Sequence, residues 1–208
     1  MSPITQLPCE IVAIILANLN HLRDLPPTLL VCRHFYTSFK ESYGIEASIF
    51  RRQITPALVP YAVAVMEASR LPRPLSHRSI YGLLEDLYNQ PACLAARLPT
   101  LPPTLIYKMS RTHEAIHALA IDFATSALDL IPLRDATSTG ASAGITLSSL
   151  EYFRFCRAFY RVDLFYTLFR DRPFGYDVSS WFFSRQPAWE NEQLGCVYEY
   201  LEARLARG

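Results

Sequence analysis

The sequence predicts an all-α fold, with a small three-helix unit ahead of an irregular helical domain. Three observations predict it. Apolar residues recur at helical spacing along most of the chain, no run of useful length alternates with the period of two that marks a strand, and no internal repeat appears. With 208 residues, half of them apolar and 19% charged, the chain can bury a core without disulfides or metals.

The elements follow in order. From Pro8 to Leu19, the residues Ile11, Ile14, Ile15, Leu16 and Leu19 form one apolar stripe, and Pro8 suits a first helical turn. Asp24, Leu25, Pro26 and Pro27 form a breaker. A second short helix then carries Leu29, Leu30, Val31 and Cys32, and a third runs from about Phe35 toward Tyr43, with Gly44 as a stop. Helices are expected at 45–53, at 56–69 (started or kinked by Pro56 and Pro60) and at 78–90. A loop spans 71–75, and a proline-rich connection follows Pro91. Met109, His113, Ile116, Ala120, Phe123 and Ala127 pattern a long helix over 105–131, ended by Pro132. Residues 135–146 are small and polar, a flexible linker by composition. An aromatic helix is expected over 147–169, a mixed loop over 171–188, and a closing helix over 189–205.

Composition narrows the function classes. Twenty basic residues against nineteen acidic ones leave a net charge of +1, so the cationic footprint of nucleic-acid binding is missing. All the basic residues except Lys40 and Lys108 are arginines, which suit bidentate interface contacts. Cys9, Cys32, Cys93, Cys156 and Cys196 are odd in number and never at C-x-x-C spacing, so neither a disulfide framework nor a zinc knuckle is expected. No signal segment opens the sequence and no apolar run reaches membrane-spanning length, which points to the cytoplasm or nucleus. No glycine-rich phosphate loop or nucleophile elbow is present, and no cofactor is expected.

The N-terminal motif carries the main functional expectation. It reads Leu7-Pro8-Cys9-Glu10-Ile11, then Ile15-Leu16, Leu19, Asp24-Leu25, Leu29 and Val31-Cys32-Arg33-His34-Phe35. These roughly thirty residues resemble the F-box, whose usual pattern is Leu-Pro-x-Glu-Ile, Ile-Leu, Leu, Asp-Leu, then Val-Cys-Arg and an aromatic. Pro26 and Pro27 depart from it at the second helix, and Phe35 stands where tryptophan is commoner. The resemblance implies a unit over 5–43 that binds the Skp subunit of a cullin-RING ubiquitin ligase and presents an unknown target protein. Independently, three such short apolar helices bury too little surface to stand alone and need a partner surface. The expected contact residues are Leu7, Pro8, Ile11, Ile15, Leu16, Leu25, Leu29, Val31 and Phe35; sequence does not separate inward from outward members.

The helical regions 44–134 and 147–208 are expected to pack on that unit. Segments around 49–54, 64–71, 152–161 and 189–194 resemble a group of poorly characterised filamentous-fungal F-box proteins. Members of that group often run longer, which leaves open a truncation at Gly208. In F-box proteins the part after the F-box recruits the target. An alternative is an F-box protein acting with the Skp subunit outside a ligase.

Other features have a bland and a sharp reading. Glu190 and Glu192 suit the first turn of the last helix, with Trp189 packed beneath it; recognition is the sharper possibility. Tyr152, Tyr160 and Tyr166 with Arg154, Arg157 and Arg161 could form core or interface, and core is favoured. His113-Glu114-Ala115-Ile116-His117 spells a zinc-peptidase motif. Ala120 and Phe123 occupy the downstream positions of its extended form, Glu151 is a candidate third ligand that no local signature marks, and His113 lies within the apolar stripe. A buried, hydrogen-bonded histidine is therefore expected there.

Overall fold

The computed structural model describes residues 6–129, 146–170 and 176–206, which form α-helices, 3-10 turns and connecting loops without any strand. The expected linker over 135–146 lies, apart from Thr146, outside the described residues.

The N-terminal unit contains α1 (Cys9–Ala17), α2 (Leu25–Leu29) and α3 (Arg33–Glu41). Pro8 precedes α1 with an extended ψ of 147°, and Asn18 closes it, its side-chain amide donating to the Ile14 carbonyl. The expected breaker at Asp24–Pro27 is instead a helix start. A 3-10 turn over Leu22–Asp24 leads into α2, and Pro26 and Pro27 occupy its first turn, where no intrahelical N–H is needed. The helix ends at Leu29, which leaves Leu30, Val31 and Cys32 in the connection to α3. α1 packs along α3. A hydrogen bond of 2.8 Å between His34 Nε2 and the Leu7 carbonyl holds the starts of the two helices together.

Gly44, at φ 77°, turns the chain into α4 (Ile45–Gln53), a conformation that a side chain would strain. α5 (Val59–Arg70) forms the centre of the body. Val59, Pro60, Ala62 to Met66 and Ala68 are all buried, and α6 (His77–Asn89), α8 (Pro103–Asp129) and α9 (Ser149–Phe169) pack around it. Ser76 caps α6 by accepting from Ser79 N–H, and Ser148 with Glu151 forms a capping box at α9.

Two expected loops contain helices. Within the proline-rich connection, Pro91 sits at the first position of α7 (Pro91–Ala96), and a 3-10 turn follows over Leu98–Thr100. Within 171–188, α10 (Tyr176–Ser184) forms because Phe182 is fully buried against Phe165 and Phe169; tertiary packing makes the helix there. α11 (Ala188–Leu205) closes the chain against α9. One apolar core runs from Val12, Leu16, Leu22 and Leu25 through Phe50 and Val63 to Leu164 and Leu194, so the N-terminal unit is continuous with the body.

Candidate protein-docking surface

α1 is apolar on nearly every side, and the fold uses only part of it. Val12 and Leu16, four residues apart, are fully buried. Ile11, Ile14 and Ile15, at i, i+3 and i+4, form an outward ridge and are 43%, 56% and 44% exposed. The expected single stripe is therefore two opposed stripes. Its outward members are left about half exposed by the described residues.

The nine expected contact residues divide accordingly. Leu16, Leu25 and Phe35 are buried and hold the unit together; their role as direct contacts does not fit that burial. Leu7 and Leu29 are half-buried, Pro8 is exposed, and Ile11, Ile15 and Val31 face outward. Ile14 and Leu30 belong with the outward group, as does Tyr36 on α3. Leu30 and Val31, at 86% and 73% exposed, are the most prominent. They lie four and three residues before His34, whose ring is hydrogen-bonded to the Leu7 carbonyl just ahead of α1. The missed residues had a signal: a helix with apolar residues all round needs cover on two sides. Burying such a side chain is worth roughly 1–2 kcal/mol.

The His113–His117 motif takes up different contacts. His113 is buried, its Nδ1 3.1 Å from the Tyr160 hydroxyl, and its ring stands edge-on to Phe50. Burial lowers its pKa to about 4, outweighing the Gln53 backbone carbonyl that draws it upward, while His117 adds a smaller downward push. His117 Nδ1 lies 3.1 Å from the Tyr152 hydroxyl, and Glu114 accepts a 3.0 Å hydrogen bond from Gln53. The Glu151 carboxylate accepts from the backbone and hydroxyl of Ser148. Cys156, between the two tyrosines on α9, is buried, and desolvation pushes its thiol up to about 11, which keeps it protonated. Among the described residues, no three histidine, cysteine or carboxylate side chains converge as a metal site. No described helix is long and apolar enough to cross a membrane.

The start of α11 is tied to α9 by charge. Arg157 Nη1 donates to Glu190 Oε1 at 2.8 Å and Arg161 Nη1 to the Glu190 carbonyl at 3.1 Å, with all three residues buried. Arg161 also reaches Asn191 Oδ1 at 3.0 Å, and Asn191 in turn donates to the Phe183 carbonyl. Glu190 is thus an ion-pair partner as well as a first-turn carboxylate, whereas Glu192 lies beyond that turn. Trp189 is not packed beneath the helix. It is 46% exposed, with Arg154 and Arg157 against its ring at 5.7 and 5.5 Å. In the tyrosine–arginine set, Tyr160, Arg157 and Arg161 belong to the core, while Tyr166 and Arg154 face outward.

No family model matches the chain, and no curated protein or solved structure matches it either.

Proposed function

We propose that the chain is an F-box-type adaptor that docks on the Skp subunit of a cullin-RING ubiquitin ligase and presents a protein target. Its own residues perform no chemistry in that role. Approximation of target and charged conjugating enzyme raises their effective concentration, and this accelerates transfer. The observation that carries the reading is the pairing of an F-box-like sequence over residues 7–35 with the outward aliphatics Ile11, Ile14 and Ile15 on α1 and Leu30 and Val31 in the connection from α2 to α3. A helix keeps such residues in water only at a cost that a partner's groove removes. Burial of Leu16, Leu25 and Phe35 supplies the rigid frame that presents them.

The test is co-purification. The wild-type chain is expected to retain a Skp subunit, and Leu7→Ala with Ile11→Ala to retain much less. A cullin in the same eluate marks the ligase role, whereas a Skp subunit alone marks action outside a ligase. Failure of the wild-type chain to hold any Skp subunit overturns the proposal.

A further inference from the structure

A second apolar surface lies far along the chain from the F-box-like unit, where α8, α9 and α11 meet. α8 and α9 run antiparallel there, since His113 meets Tyr160 while His117 meets Tyr152. Between them and the end of α11 is an open trough of about 790 Å³. Ala115 and Leu119 of α8, Val162 and Tyr166 of α9, and Leu201 and Leu205 of α11 form its walls. The α8 wall runs from Thr112 to Leu119; at ~1.5 Å of rise per residue that is about two helical turns. Leu205 is 81% exposed and Tyr166 is also exposed, so the walls are greasy up to the rim.

Asp163 and Glu202 line the trough, and neither forms an ion pair among the described residues. The Tyr198 hydroxyl hydrogen-bonds to Glu202. Arg204, the cation of the lining, is committed to Asp122 and the Tyr200 hydroxyl. Lys108, one turn before Thr112, acts on Asp163, and Thr167 hydrogen-bonds it. Burial nevertheless holds the Asp163 carboxyl above its usual range, so its charge is under-compensated.

We propose that this trough seats an amphipathic helix of about two turns from a partner protein. Its aliphatic anchors fall at i, i+3 or i+4, and i+7, and a lysine or arginine at its edge meets Asp163 and Glu202. The helical walls favour a rod over a compact ligand, because a fourth stripe of the same period completes the bundle. The basic edge follows from the carboxylates. Identifying the partner as a ligase target rests on the adaptor reading; the docking itself does not.

The probes are two designed peptides with leucines at i, i+3, i+4 and i+7, one edged with lysine and one with glutamate. Each is titrated by fluorescence anisotropy into the full chain. The lysine-edged peptide is expected to bind at least tenfold more tightly. Ala115→Trp, a filling change at an exposed position, is expected to abolish that binding while leaving the circular dichroism spectrum and Skp capture unchanged. Asp163→Asn with Glu202→Gln is expected to erase the preference between peptides while binding persists. The proposal is overturned if neither peptide binds, if the glutamate edge binds equally well, or if light scattering shows a dimer that Ala115→Trp disrupts. Loss of Skp capture with peptide binding intact would instead sink the adaptor reading alone.

Discussion

The N-terminal unit and the α9–α11 pair break the usual rule of burial in opposite directions. The first leaves Ile14, Leu30 and Val31 in water; the second takes Arg157, Arg161 and Glu190 out of it. Each departure is costly, and each cost locates a job. Buried charges that are hydrogen-bonded to one another fix a unique docking of α11 on α9, since removal of one member strands the rest. The exposed aliphatics of the N-terminal unit are left largely in water by the described residues. On the proposed reading, internal specificity and external adhesion are separated along the sequence.

The contrast can be broken most forcefully at Glu190. Glu190→Ala leaves two buried guanidiniums without their carboxylate and is expected to cost about 3–5 kcal/mol, read as a lowered urea midpoint. Leu16→Ala, in the inward stripe of α1, is expected to cost about 3 kcal/mol by cavity formation.

An acid titration sharpens the picture in the body. His113, neutral in the fold with a pKa of about 4, takes up a proton near pH 6.5 when unfolded. The unfolded state therefore binds more protons between those values. This contribution is complete above pH 6.5 and falls away as the pH drops toward 4, by about 3 kcal/mol in all. His113→Gln is expected to flatten that part of the stability–pH curve, measured by denaturant titration at pH 7 and pH 4.5. The smallest effect is expected from the outward ridge: Ile14→Ala changes stability by less than about 0.5 kcal/mol in the same assay. A large loss there would show the ridge to be structural.

Much of the helix order was legible because long amphipathic stretches declare their period. Expected spans such as 78–90 and 147–169 differ by only a residue or two from α6 and α9. The misses have physical causes. Pro26 and Pro27 read as breakers but are harmless in a first turn. α10 depends on Phe182 burying itself against α9, a contact that local pattern does not encode. His113 was legible as a core histidine because it sits within an apolar stripe, although its Tyr160 partner was not. The division of α1 into Leu16 inside and Ile14 outside was illegible because both faces carry the same kind of residue. Nor could Arg157 and Arg161 reveal that a carboxylate from α11 would meet them.

The adaptor reading turns on whether the outward aliphatics bind while the inward ones only support. Calorimetric titration of a purified Skp subunit into the folded wild-type chain and into Ile14→Asp with Val31→Asp tests this directly. The expected result is saturable binding by the wild type and at least a hundredfold weakening in the variant, with the two chains unfolding at the same urea concentration. Equal affinity for both, or no heat of binding for either, contradicts it.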